Sequence, residues 1–240
     1  LNFGVGGYSL TGSTLTLAAP TGTNSPVIAV NNNGNGTNRA IISSTLAGTR
    51  GLTKTGNGTL VLSADNSAGL TGDIAIKAGA LVITNANQLG SSAGTAISVT
   101  GIANTGNPGY SGGLLVLQGT GSGAGSSAGA ILLNRELSMA GRSPGATNST
   151  GALLSIGYNN LSAGLSLASP AAEGRAFASY GATAVSGPVF FGSTGAQIFT
   201  GSGNWIIAGM VSGLELSNDR LIKSATSIGS TLWLQNANNN

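Results

Sequence analysis

Three stretches of the chain match the Gly-x-Ser-x-Gly pattern that surrounds the nucleophile of many serine hydrolases. They cover residues 90–94, 125–129 and 141–145. A serine of this kind needs a histidine as its general base, and the chain contains no His. With 41 Gly among 240 residues, such matches are expected by chance. We therefore predict no catalytic residue at any of them.

A second glycine motif, at residues 123–128, has the Gly-x-Gly-x-x-Ala form of a dinucleotide-binding turn. That fold requires a helix directly after the turn, whereas the segment that follows, residues 130–133, is typical of a short strand. We interpret the motif as a flexible turn and predict no bound cofactor.

Carboxylates are the more serious candidates for chemistry, because glycosidases use a pair of them about 5–10 Å apart. We expect Asp65 and Asp73 to cap turns and Glu136 to pair with its neighbour Arg135 at the surface. Two more, Glu215 and Asp219, lie near Arg220 and Lys223, which favours a solvated salt-bridge group. The sixth is Glu173.

Metal binding is disfavoured as well, because the chain has neither Cys nor His. We predict no metal site and no enzyme, with a polysaccharide-cleaving β-helix enzyme as the remote alternative.

Exposed aromatic rings can stack on sugars, and two residues are candidates for this role. Tyr158 precedes an Asn-Asn pair in a predicted loop. Phe191 belongs to a Phe190-Phe191 pair, in which a strand would place one ring inside and the other outside. Both are candidates for carbohydrate stacking.

Charge and hydropathy exclude two classes of partner. Only 6% of residues are charged, against about 25% in ordinary globular proteins. The net charge of +3 is spread along the chain without a basic cluster, so we predict no nucleic-acid partner. No apolar stretch approaches the ~20 residues of a membrane span, and we predict no membrane insertion of this segment.

Short runs of alternating apolar residues, separated by Gly, Asn, Ser and Pro, recur along the whole chain. This pattern predicts an all-β, repetitive solenoid without helices. Alternation places Leu60 and Leu62 inside, together with Ile74, Ile76, Leu81 and Ile83. It turns Val61, Ala75 and Val82 outward or sideways. We expect about 10 coils of ~20–25 residues each.

One segment carries a family likeness. Residues 51–62 read Gly-Leu-Thr-Lys-Thr-Gly-Asn-Gly-Thr-Leu-Val-Leu, and Thr-Gly at 71–72, Gly-Ala-Leu at 79–81 and Leu-Gly at 89–90 follow. Over residues 39–90 the chain resembles the autotransporter-associated β-strand repeat. A partial second copy lies in 214–240, where Lys223 stands in the place of Lys54, and degenerate coils of the same kind fill 112–213.

The resemblance implies a right-handed parallel β-helix on the surface of a Gram-negative-type bacterium, or secreted from it. Proteins of that family act as adhesins, as stalks for proteases or as passive spacers, and the repeat carries no known catalytic residues. We expect residues 1–240 to form a single β-solenoid excerpted from a longer repetitive chain.

The leading functional hypothesis is therefore structural: an extracellular stalk, or a filament whose subunits associate head to tail. The apolar residues that we expect at the two assembly ends are Leu1, Phe3, Tyr8, Leu232, Trp233 and Leu234. The alternative is an adhesin-type module that presents loops to carbohydrate or to other cell-surface components.

Overall fold

A computed structural model describes most of the chain. The described residues are 1–19, 25–31, 38–91, 95–100, 112–121, 128–140, 152–167, 175–192, 196–213, 220–223 and 230–235. They form strands throughout, and the helical structure among them is one 3-10 turn, Ala86–Leu89. The predicted all-β class is confirmed.

The described ranges contain twenty-three strands, most of them short. They are β1 Asn2–Phe3, β2 Tyr8–Leu10, β3 Leu15–Thr16, β4 Val27–Val30, β5 Arg39–Ile42, β6 Leu46–Ala47, β7 Leu52–Thr55, β8 Thr59–Leu62, β9 Ile74–Ile76, β10 Gly79–Ile83, β11 Ala96–Thr100, β12 Gly113–Gln118, β13 Ile131–Leu133, β14 Glu136–Ala140, β15 Leu153–Leu161, β16 Leu165–Leu167, β17 Arg175–Val185, β18 Val189–Phe191, β19 Ala196–Thr200, β20 Asn204–Ile207, β21 Val211–Ser212, β22 Arg220–Lys223 and β23 Leu232–Leu234.

The strands are sorted into two long parallel sheets. The first has the order β1-β4-β7-β9-β11-β14-β16-β18-β21. The second has the order β2-β5-β8-β10-β12-β15-β17-β19-β22, and β13, β20 and β23 join it beside β15 and β17. A small third sheet pairs β3 with β6. We call the run from one strand of the first sheet to the next a coil.

Register within the first sheet stacks like residues on like. Ile74 pairs with Leu52, 22 residues earlier, and Ile97 pairs with Ile74, 23 residues earlier. The ladder continues through Leu137, Leu165 and Val189, and all six side chains are buried. Offsets near the expected ~20–25 residues recur, except that Leu137 follows Ile97 by 40.

Tight corners connect the sheets, and glycine makes them possible. Gly79 begins β10 with φ +65°, a left-handed conformation that other residues adopt at a cost. A Cβ there would collide with the backbone carbonyl oxygens of Gly56 and Gly58 in the preceding coil. The corners of successive coils are therefore packed backbone against backbone.

The predicted alternation within residues 39–90 is confirmed for the inward residues. Leu60, Leu62, Ile74, Ile76, Leu81 and Ile83 are all buried in one core cluster. Ala75 is half-buried. Val61 and Val82 face away from that core, as predicted, but both are buried. They stack with Val116 in a separate cluster on the other face of the second sheet, where each valine shields the next.

The predicted loop around Tyr158, and the turn at Asn159-Asn160, are wrong. All three residues lie inside the nine-residue strand β15. Its first half pairs with β12 and its second half with β13. Gly157, with φ +74°, lies at the change of partner, where a positive φ bends the strand. A run of apolar and small residues followed by Asn-Asn resembles a strand ending in a turn, which is why the pattern was misleading.

The equivalence of Lys54 and Lys223 is also wrong. Lys54 lies in β7 of the first sheet, whereas Lys223 lies in β22 of the second. The two Thr-Leu-x-Leu elements, by contrast, both lie in the second sheet, where β8 pairs with β5 and β10 and β23 pairs with β20. The lysine and the Thr-Leu-x-Leu element thus lie in different sheets in residues 51–62 and in the same sheet in residues 220–234. Residues 214–219, the first part of the predicted second copy, lie outside the described residues.

The inward position of Leu62 can be tested by placing a charge there. We expect Leu62→Asp to lower the free energy of unfolding by about 3–5 kcal/mol, because the carboxylate would be buried without a partner. Leu132→Asp is the matched control, since the Leu132 side chain is 56% exposed and its replacement should change stability little. Denaturant unfolding of both variants measures the difference; equal stabilities would contradict the assigned alternation.

Candidate functional site

Polar side chains inside the core are the feature that sequence patterns missed. Two of them, Lys54 and Arg135, are basic and almost completely buried. Charged residues were expected at the surface, because buried ones are rare unless they are paired. In both cases the partners are backbone carbonyls, which a residue pattern does not reveal.

In the first sheet, Lys54 of β7 pairs with Ile28 of β4 on one side and with Ile76 of β9 on the other. Its Nζ donates to the carbonyl oxygens of Thr55 and Gly56, at 2.8 Å each, and to that of Ala78 at 2.9 Å. The first two belong to its own corner and the third to the corner of the next coil. The ammonium therefore satisfies carbonyls that turn inward at two stacked corners. Burial lowers the pKa of Lys54 to about 7.

Arg135 performs a similar task at another corner of the coil. Its guanidinium donates to the carbonyl oxygen of Leu89 at 2.6 Å and to that of Gly72 at 2.7 Å. A longer contact, 3.4 Å, reaches Ala96. Burial lowers the pKa of Arg135, and the nearby Asp73 carboxylate acts in the opposite sense. Gly72 lies just before β9, Leu89 lies between β9 and β11, and Arg135 itself lies just before β14. The side chain therefore joins three successive coils.

The expected ion pair between Arg135 and Glu136 is therefore wrong as a surface feature. Arg135 is buried and its recorded hydrogen bonds go to carbonyls, whereas Glu136 is exposed. Two adjacent residues in an extended segment point to opposite faces, which separates their side chains.

Two amides continue this internal polar set. Asn66 accepts from the backbone N–H of Leu46 at 2.7 Å and donates to the carbonyl oxygen of Gln88 at 2.6 Å. The Gln88 side chain accepts from the backbone N–H of Thr84 at 2.8 Å. Both amides are buried, and they link corners in three consecutive coils.

A third polar group lies inside β15 and β17, beside the bend at Gly157. Asn159 donates to the hydroxyl of Ser155 at 2.8 Å, and Thr183 donates to the same hydroxyl at 2.7 Å. The hydroxyl oxygens of Ser179 and Thr183 are hydrogen-bonded at 3.0 Å. Asn159 was expected at a turn; its complete burial is possible because hydroxyls and backbone groups satisfy its amide.

An aromatic cluster fills the core beside this polar group. The rings of Phe177, Phe199 and Trp205 have centroids 5.2–6.2 Å apart, in tilted and edge-to-face arrangements. Trp205 is completely buried, and its Nε1 has no hydrogen-bond partner among the described residues.

Two of the described carboxylates accept hydrogen bonds from nearby groups. Asp65 accepts from the hydroxyl and the backbone N–H of Ser67, and these bonds hold its pKa below the usual value. This confirms its turn-capping role. Asp73 accepts from the backbone N–H of Ala96. Glu173, Glu215 and Asp219 lie outside the described residues.

The motif matches at 90–94, 123–128, 125–129 and 141–145 fall largely or wholly outside the described residues. Across the ranges that are described, no group of three or more Asp, Glu, His or Cys side chains is arranged to hold a metal ion. None of the helical structure found there has the length and apolarity needed to cross a membrane.

The choice of Phe191 for carbohydrate stacking is wrong. Its ring is 1% exposed, and its neighbour Phe190 is 49% exposed on the outer face of the first sheet. The sequence predicted one ring in and one out but did not reveal which. Tyr158 is half-buried within β15.

The candidate assembly residues lie on the outermost described strands of the sheets. At one end, Leu1 and Tyr8 are exposed, and Phe3 is buried with its ring 5.8 Å from that of Tyr8. At the other end, Trp233 and Leu234 are exposed. Leu232, the sixth candidate, is half-buried and packs on the core.

Comparison with known proteins finds no matching family model, no matching curated protein and no matching solved structure.

The role of Asn66 can be tested by removing its amide. We expect Asn66→Ala to lower the free energy of unfolding by about 2–4 kcal/mol, because one backbone N–H and one carbonyl would be left buried without partners. Asn87→Ala is the control, since the Asn87 side chain is exposed and bonds to Asp65. Thermal unfolding that affects both variants equally would contradict this role.

The two tryptophans should report opposite environments. Trp205 is inside the aromatic cluster, whereas Trp233 is 53% exposed. We expect Trp233→Phe to leave a blue-shifted emission that acrylamide quenches poorly. Trp205→Phe should leave a red-shifted emission that is readily quenched. A red-shifted spectrum from the Trp233→Phe variant would show that Trp205 is not buried.

Proposed function

We propose that this chain is a structural protein of the cell exterior, a rod of stacked coils that serves as a stalk or as a filament subunit. The observation that carries the proposal is the continuous parallel register of the two long sheets. Among the described residues, the nine strands of the first sheet run in one unbroken order from β1 to β21, and nine of the twelve strands of the second do so from β2 to β22. Such an arrangement extends in one direction, with each coil contacting its neighbours.

The finer architecture that we propose is a right-handed parallel β-helix. Connections between parallel strands of one sheet are right-handed in about 98% of cases, because of the twist of the strands. Eight steps of about 4.8 Å would make the first sheet about 40 Å long along the stacking direction. Electron microscopy at a resolution that separates strands would establish the hand, and a left-handed path would contradict this part of the proposal.

The cell-surface location is supported by the resemblance of residues 39–90 to the autotransporter-associated repeat. The low charge, 6% of residues, also suits a stacked architecture, because like charges aligned on neighbouring strands repel one another. The buried side chains of Lys54, Asn66 and Arg135 support a structural role too, since they bond to backbone groups of neighbouring coils.

The head-to-tail form of the proposal joins the outermost described strands of the two long sheets, β1 and β2 of one copy with β21 and β22 of the next. It is an addition of strands to the edge of a sheet. Because every pairing is parallel, the two edges are different surfaces, and a contact between them is heterologous. Such a contact does not close and propagates into a filament.

Trp233 provides the test of this assembly. We expect Trp233→Lys to weaken end-to-end association, because a charge on an edge strand opposes strand addition. Phe190→Lys is the matched control: Phe190 is similarly exposed, and it lies in β18, which pairs with β16 on one side and β21 on the other. Sedimentation velocity over a range of concentrations should show higher-order species for the parent and the control, and fewer for Trp233→Lys.

If all three forms sediment as identical monomers, self-association is refuted and the passive-stalk form of the proposal remains. That form predicts an elongated particle. A compact spherical particle in small-angle scattering would contradict it.

A binding module is the second candidate, and the exposed ring of Phe190 is the observation that favours it. A ring on the outer face of a sheet can stack on a sugar. We expect Phe190→Ala to abolish any binding to a glycan array. The buried Phe199 is not altered in this variant. Identical glycan profiles of the parent and Phe190→Ala would contradict a sugar-binding role for this residue.

A further inference from the structure

The corner between β7 and β8 contains an Asn-Gly dipeptide, Asn57-Gly58. An asparagine followed by glycine is the pair most prone to spontaneous deamidation, because glycine has no side chain to hinder attack by its own backbone nitrogen. Two further pairs of this type, at 33–34 and 35–36, lie outside the described residues. Asn57-Gly58 is thus the one Asn-Gly pair within the described ranges.

Deamidation of this pair would need water as its single co-reactant. The backbone nitrogen of Gly58 attacks the side-chain carbonyl carbon of Asn57 and loses its proton. A new bond between these two atoms closes a succinimide ring, and ammonia leaves with the former amide nitrogen. Water then opens the ring at one of its two carbonyls. The product is aspartate or isoaspartate, and no electrons are exchanged.

The two residues of the pair differ in their exposure. Asn57 is exposed, whereas Gly58 is buried. The side chain that would be modified therefore has access to the water that hydrolysis requires, but the attacking nitrogen belongs to the interior of the stack. The reactivity of the pair is decided by how freely the backbone of Gly58 can move.

Hydrogen bonds to the preceding coil hold the attacking nitrogen. The backbone N–H of Gly58 donates to the carbonyl oxygen of Val30 at 2.7 Å, and that of Thr59 donates to the carbonyl oxygen of Asn38 at 2.8 Å. Attack requires the peptide plane between Asn57 and Gly58 to turn toward the side chain, which breaks the bond to Val30. Leaving a buried backbone acceptor without its donor is costly.

The following coil confines the same peptide from the other side. The backbone N–H of Ala80 donates to the carbonyl oxygen of Gly58 at 3.3 Å. A Cβ at Gly79 would collide with that oxygen and with the carbonyl carbon of Asn57. The backbone of Gly79 therefore packs directly against the Asn57-Gly58 peptide and hinders the rotation that attack requires.

We propose that Asn57-Gly58 is a modification site that the stacked coils keep unreactive, and that its conversion to aspartate or isoaspartate marks molecules in which this corner has separated from its neighbours. The inference rests on the bonds and the packing of Gly58, and it is independent of the proposed function. Because the reaction proceeds from the separated form, its rate in the folded protein is the rate of the free pair multiplied by the fraction of molecules in that form.

A variant that disturbs this corner tests whether the packing is responsible. Gly79→Ala places a Cβ against the Asn57-Gly58 peptide and should accelerate modification of Asn57. Gly181→Ala is the matched control, since its Cβ would collide with the carbonyl oxygen of Gly157 in a distant coil, and it should retain the rate of the parent. A parent rate in Gly79→Ala, or equal acceleration in both variants, would overturn the assignment to this corner.

A measurement on the parent alone decides the proposal if Gly79→Ala does not fold. The folded protein and the free peptide of residues 55–77 are incubated in the same mildly alkaline buffer. Tryptic cleavage after Lys54 and Lys77 then releases that peptide from the protein, and fragment masses distinguish Asn57 from Asn66, its other asparagine. We expect Asn57 to be modified more than about tenfold more slowly in the folded protein. Equal rates in protein and peptide would overturn the proposal.

Discussion

The structure depends on one constraint: successive coils stack in parallel register, so every backbone group at every corner must find a partner beside the coil above or below. Within the strands the ladders satisfy this demand. At the corners the backbone turns away from its ladder, and carbonyls such as those of Gly56 and Ala78 face inward. Lys54, Asn66 and Arg135 supply the missing partners there.

This constraint explains why the core is not uniformly apolar. Leucine, isoleucine and valine fill the faces of the sheets, where the ladders pair the backbone groups of neighbouring strands. Buried polar side chains occupy the corners and the bend at Gly157, where backbone geometry changes. Glycine meets the same constraint by having no side chain, since a Cβ at Gly79 would prevent two corners from stacking. The packing and the polar contacts thus serve one arrangement.

The same arrangement bears on the proposed role as a rod. Contacts run from coil to coil, so a perturbation at one corner affects its immediate neighbours first. The buried polar side chains that link coils are distributed along the chain, with Lys54 and Asn66 in early coils and Asn159 and Thr183 in later ones. A molecule of this design resists separation of its coils at several independent points, as a stalk or a filament requires.

The sequence by itself determined the all-β class and the inward face of residues 39–90. Both follow from local alternation, which has a period of two and is visible along the chain, whereas parallel pairing was only implied by a family resemblance. Only the tertiary structure decided which of Phe190 and Phe191 is buried, that Tyr158 and Asn159 lie within a strand, and that Lys54 and Lys223 occupy different sheets. It also decided that Lys54 and Arg135 lie inside. These outcomes depend on partners 22 or more residues away along the chain, because a corner carbonyl attracts a buried donor only once two coils have been brought together.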